Sequence, residues 1–143
     1  MSVKRVVVDT SVVVAGLRSQ LGASNRMLTL VAERQLVPLM TTALFLEYED
    51  VLNRPEQRLA TGMAMADVVG FLAALASAAE PVDVHFMWRP QLADPADELV
   101  LEAAVNGRAS GIVTHNVRDF LPAARDFKIE VITPSIMLQR MRK

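Results

Sequence analysis

Four stretches of this sequence carry carboxylates at positions from which they could do chemistry. Asp9 directly follows the apolar run Val6-Val7-Val8. Glu47 falls among Leu44, Tyr48 and Val51, spaced i, i+3, i+4 and i+7, so it lies on or beside the buried stripe of a helix. Asp94 and Asp97 flank Pro95-Ala96, and Asn116 and Asp119 follow the apolar Gly111-Ile112-Val113. Each has an ordinary structural explanation. Asp9 caps the turn at Thr10-Ser11, Glu47 pairs with an arginine, Asp94 caps a helix, and Asp97 suits the dipole of its first turn. Asn116 and Asp119 read as turn and cap residues. Their conjunction has a different reading. Carboxylates gathered at one edge repel one another, so some take up protons or a cation bridges them. With no cysteine and only His85 and His115, the natural cation is Mg²⁺ or Mn²⁺. Such a centre activates water and neutralises charge on a phosphoryl group.

The elements that must position these acids follow from pattern. Val3 to Val8 reads as a strand buried on both faces, and Leu36 to Met40 as a second. Helices are expected over Gly22–Gln35, from Thr41 or Thr42 to Asn53 with Pro55 ending or kinking it, and over Met65–Ala79. Val82–Val84, Ser110–Thr114 and Ile129–Ile132 read as short strands, and His85–Ala93 as a loop. Asp94-Pro95 opens a helix that Gly107 closes, with Glu98, Glu102 and Asn106 as its solvated face. Pro134–Met141 is a terminal helix. Strands alternating with helices imply a mainly parallel sheet with helices on both faces. Ligands then bind beyond the carboxyl ends of the strands, where the strand order reverses.

Composition narrows the chemistry. At 143 residues and 52% hydrophobic, residues 1–143 are expected to form a single domain with a real core. The absence of cysteine excludes thiol nucleophiles and disulfides, and two histidines exclude a histidine cluster. His115 reads as a surface or supporting group without a catalytic role. A net charge of −1 excludes binding to nucleic acid through bulk basicity, so any such binding needs a local patch. Asp9 interrupts the apolar run after Lys4-Arg5, which makes a poor signal peptide, and Val68–Ala79 is too short to span a bilayer. The expectation is a soluble cytoplasmic protein without a membrane segment.

Over these same stretches the sequence resembles the PIN-domain family, and more narrowly the PIN-domain toxins of prokaryotic toxin–antitoxin systems. The resemblance rests on Val6-Val7-Val8-Asp9-Thr10-Ser11-Val12 and on the Glu47 helix ending Val51-Leu52-Asn53-Arg54-Pro55. It continues through Asp94-Pro95-Ala96-Asp97 and Val113-Thr114-His115-Asn116-Val117-Arg118-Asp119-Phe120. It implies a three-layer α/β/α sandwich and a ribonuclease dependent on Mg²⁺ or Mn²⁺ that leaves a 5′ phosphate. It implies catalytic, metal-holding roles for Asp9, Glu47, Asp97 and Asp119, with Thr10 or Ser11, and Asn116, in support. Asp94 is a cap or an outer ligand. Ser11 stands where relatives often carry asparagine, and its hydroxyl can still bond a neighbouring carboxylate.

Twelve of the fifteen basic residues are arginine, which suits phosphate recognition or reflects coding bias. Arg18, Arg26, Arg89 and Arg118 flank the acidic motifs and are the candidate RNA contacts. Phe86 and Trp88 either stack bases or fill an interface. The toxin resemblance further implies a small antitoxin over the acidic cleft. The apolar Met63, Met65, Val68, Val69, Phe71 and Leu72 read as core, or as the surface of a dimer or antitoxin groove. The competing non-enzymatic reading is a PIN-like module that holds RNA or a protein without cutting. A haloacid-dehalogenase-type phosphatase is disfavoured because Ser11 occupies the place of its second aspartate. A receiver domain is disfavoured because the early acidic pair and late lysine are missing.

Overall fold

A computed structural model describes residues 4–86 and 91–142. The sheet is built from β1 (Lys4–Val8), β2 (Leu36–Met40), β3 (Glu80–Pro81), β4 (Gly111–Val113) and β5 (Glu130–Ile132). All neighbouring strands are parallel, in the order β3-β2-β1-β4-β5. The helices are α1 (Thr10–Arg18), α2 (Ala23–Ala32), α3 (Thr42–Leu52), α4 (Pro55–Thr61), α5 (Met65–Ala78), α6 (Pro95–Gly107), α7 (Val117–Phe127) and α8 (Pro134–Met141). They make the expected three-layer α/β/α sandwich.

β1 is the central strand, and its Val6, Val7 and Val8 are all buried. From it the chain first winds outward through β2 and β3, then returns to lay β4 and β5 on the other side. The order therefore reverses between β1 and β4, where Val8 pairs with Val113. The residues that leave these two strands, Asp9 and Thr114, emerge side by side at the crevice where such sheets take ligands.

Helices α1 and α7 were not among the expected elements, and some expected elements take other bounds. Residues 10–18 form a helix although Val12, Val13 and Val14 are poor helix formers. Tertiary packing decides it, because Val12, Val13 and Gly16 are buried, and a Cβ on Gly16 would stand 2.6 Å from Leu28 Cδ1. That close approach fixes α2 against α1. Pro55 begins a short helix rather than only ending the previous one, since its missing N–H costs nothing in a first turn. The third strand lies at Glu80–Pro81, ahead of the expected Val82–Val84, although the Val82 N–H still donates to Met40 O at 2.9 Å. Residues 117–127 are helical despite Pro122, with Phe120, Ala123 and Ala124 facing the core.

α6 departs furthest from its expected form. Gly107 does not supply the left-handed residue that ends the helix; Arg108 does, at φ 52°. Gly107 is small for another reason, because a Cβ there would stand 2.8 Å from Leu39 Cδ1 and 2.9 Å from Val82 Cγ2. Glu98 and Glu102 are not a solvated face but are only 4% and 8% exposed. The Glu98 carboxylate accepts the backbone N–H groups of Gln91 (2.6 Å) and Leu92 (2.8 Å). Asn106 accepts from the N–H groups of His85 and Phe86 and donates to Phe86 O and Glu102 O. One side of α6 thus holds the ends of the long connection that leads into it. Of the apolar group at and just before α5, Val68 and Leu72 are core, whereas Met65 and Val69 are more than 60% exposed.

Among the described residues no single helix is long and apolar enough to cross a bilayer. Among the described residues one pair, α4 and α5, passes that test together, and it is bent by 82°.

Candidate active site

Asp9 is 5% exposed and ends the central strand. Its Oδ2 accepts two hydroxyl hydrogen bonds, from Ser11 Oγ and from Thr114 Oγ1, each 2.7 Å. Thr114 is fully buried, and its Oγ1 also accepts the Asn116 N–H at 2.9 Å. One carboxylate oxygen is therefore locked by both sides of the switch point, and no hydrogen bond to Oδ1 occurs among the described residues. The expectation that Ser11 bonds a neighbouring carboxylate is met. Thr114 had no assigned role; its signal is a hydroxyl placed one residue past a strand in register with β1.

Tyr48 ties α3 to the same point. It is buried, and its hydroxyl donates to Val8 O. Burial, and then the Asp9 charge, push its pKa far up, so it remains a phenol and a donor. Glu47 precedes Tyr48 and is half-buried, beside the stripe rather than within it. Its charge helps to hold Arg54 protonated, whose direct partner is Asp50 at 2.9 Å.

Asp94 is the N-cap of α6, accepting the Ala96 N–H at 2.9 Å. Asp97 follows in the first turn and is half-buried. Its carboxyl is raised from 3.8 to about 6. Burial contributes most, followed by the negative charges of Asp9, Asp94, Asp119 and Glu98. Acids from the end of β1, from the start of α6 and from the start of α7 thus act on one carboxyl. Asp119 reaches this group from the first turn of α7, where its own side chain is exposed. Asn116 is the N-cap residue of α7, but its side chain makes no capping bond.

Among the described residues no three carboxylates or histidines stand close enough to hold an ion as they are. The acids are neighbours electrostatically without being drawn into a ready chelate. The donors nevertheless suit a hard cation: carboxylate oxygens, no sulfur, and one acid raised by burial and then by the negative charge around it.

His115 is exposed, and its Nε2 is 2.7 Å from Ser24 Oγ, while its backbone N–H reaches Ser11 Oγ at 3.4 Å. It joins α2 to the site. Thr10 and Ser11 line the head of a shallow groove of about 550 Å³ that continues past Val14, Arg18, Val51 and Gln57. Arg18, Arg26 and Arg118 are exposed; Arg89 and Trp88 lie outside the described residues.

The fold and these acids define a doubly wound α/β/α module with an acid-lined switch point. A family profile for the PIN domain matches residues 5–118. The chain belongs to the PIN-domain family, whose members are in general nucleases and typically use divalent metals. No curated protein matches the sequence closely enough to count.

Proposed function

We propose that this protein is an endoribonuclease dependent on Mg²⁺ or Mn²⁺, acting in the cytoplasm as the toxin of a toxin–antitoxin pair. The observation that carries the reading is that Asp9 ends the central strand at the switch point of a nuclease-type fold, within electrostatic reach of the half-buried Asp97, whose carboxyl is raised by burial and then by Asp9, Asp94 and Asp119. Asp9, Asp97 and Asp119 would hold the cation, and Glu47 would bind a second one or orient the water. When bound, the cation lowers the pKa of water and stabilises charge on the phosphoryl group and leaving oxygen. The residues of the chain do the positioning. Ser11 and Thr114 fix one oxygen of Asp9 and leave the other for a ligand. Tyr48 holds α3, and with it Glu47, at the end of β1.

Arg18, exposed in the groove that Thr10 and Ser11 also line, and Arg118, exposed next to Asp119 in sequence, are candidates for phosphate contacts. The antitoxin would place a basic side chain among the acids. The exposed Leu59, Met65 and Val69 on α4 and α5 would pack against a second copy of the chain.

The test is incubation of purified protein with single-stranded and structured RNA, with Mn²⁺ or with EDTA, beside Asp9→Asn. The reading expects fragments with 5′ phosphates that disappear with EDTA and in the variant. Binding of RNA without cleavage under any of these conditions would favour the non-catalytic module instead.

A further inference from the structure

The net charge of −1 conceals an uneven distribution. No aspartate or glutamate occurs between Asp9 and Glu33, and none after Glu130. These two acid-free segments meet in space, because α2 packs on α8. Between them runs a groove of about 360 Å³ whose lining includes Leu21, Arg26, Ser135, Leu138, Gln139 and Arg142. Three arginines elsewhere have a carboxylate partner: Arg5 has Glu80, Arg54 has Asp50 and Arg140 has Glu130. Arg26 and Arg142 are exposed, and among the described residues no acceptor engages either guanidinium.

The groove is connected to the acidic edge. Ser24, in the first turn of α2, bonds His115 Nε2; the His115 N–H meets Ser11 Oγ; Ser11 donates to Asp9. The other wall, α8, starts directly after β5, at the same edge of the sheet as Asp9. A ligand leaving the acids along this path meets two free guanidiniums, a hydroxyl and an amide. It also meets apolar surface at Leu138 and at Leu21, which is 97% exposed. A compact anion would not need this length or these apolar contacts. A single strand of RNA would, since its phosphates alternate with ribose and base faces.

We propose that the α2–α8 groove is an RNA subsite that holds backbone phosphates beyond the cleaved one through Arg26 and Arg142. The inference rests on the ribonuclease reading of the acidic edge. Arginine forks suit phosphate oxygens, and each phosphate they neutralise adds to the salt dependence of binding. An acidic protein segment would meet the same guanidiniums, but continuity with the catalytic edge favours the strand being cut.

The experiment measures binding in EDTA, where no cleavage occurs, by fluorescence anisotropy of single-stranded RNAs of about 4 and about 12 nucleotides. Wild type is compared with Arg26→Gln, Arg142→Gln, the double variant, and Arg125→Gln as an exposed charge on α7 outside the groove. The double variant is expected to bind the longer RNA about tenfold more weakly at low salt. Its salt slope should be shallower by about 1.4, or ~0.7 per lost phosphate contact. The shorter RNA should respond much less, and Arg125→Gln should match wild type. Unchanged affinity for the longer RNA overturns the subsite, while metal-dependent cleavage by wild type in a parallel reaction would leave the ribonuclease reading standing. Failure of wild type to bind or cut any RNA removes both. If a short polyglutamate peptide, and not RNA, responds to the two substitutions, the groove docks a protein and the proposal is wrong.

Discussion

Replacing Asp97 with asparagine should stabilise the metal-free protein while removing its function. The Asp97 carboxyl sits at about 6 instead of 3.8 because it is half-buried among other carboxylates. Between these values the folded chain keeps a proton that the unfolded chain has lost. Folding stability therefore falls as pH rises from about 4 to about 6, and stays lower above that window. Full linkage for such a displacement is about 3 kcal/mol at neutral pH. Asp97 is substantially solvated, so screening reduces this to about 1 kcal/mol. Asparagine carries no charge to repel, and Asp97→Asn should gain about that amount near pH 7.5, roughly 3 °C in Tm. The gain should shrink toward zero near pH 4, where the wild-type carboxyl is protonated. Urea denaturation of both proteins in EDTA, at several pH values, measures it. Saturating Mn²⁺ should reverse the order, because only wild type gains stability by binding. If Asp97→Asn is destabilised equally at every pH, Asp97 is an ordinary first-turn residue and the crowding argument fails.

Three other substitutions test the supports. Thr114→Val removes the buried hydroxyl that bonds both Asp9 and the Asn116 N–H. It should cost about 1–2 kcal/mol in chemical denaturation and lower any cleavage rate by more than that loss of folded protein explains. Glu98→Gln weakens a charged acceptor for the N–H groups of Gln91 and Leu92, so their amide exchange should quicken while β1 stays protected. Lys128→Gly relieves a non-glycine residue at φ 56° at the end of α7 and should raise stability by about 1 kcal/mol, read from the urea midpoint.

What could be read from the sequence was what is determined locally. β1, β2 and α8 announce themselves by apolar runs and a proline start, and Thr41 caps α3, its Oγ1 accepting the Leu44 N–H at 3.0 Å. The four acidic stretches were legible because each follows a strand or marks a helix; Asp9 and Asp119 act on Asp97, while Glu47 is not among the acids that do. Features set by distant contacts were not legible. α1 is helical because its valines pack under α2, against their own preference. Glu98 and Asn106 look like a solvated stripe at four-residue spacing, yet they hold a segment up to 21 residues away in sequence. α7 was within reach, since Phe120, Ala123 and Ala124 mark its buried face; Pro122 obscured the pattern. The role of Thr114 required knowing that β4 lies next to β1.

A metal centre at the acidic edge would bind Mn²⁺ in the absence of RNA. Titration of Mn²⁺ into the RNA-free protein, followed by the electron paramagnetic resonance signal of the free ion, asks this directly. The prediction is about one or two ions bound per chain, with binding strongly weakened in Asp9→Asn and in Asp97→Asn and unchanged in Asp67→Asn on α5. Mn²⁺ binding that is absent from wild type, or that survives both of the first two substitutions, would contradict it.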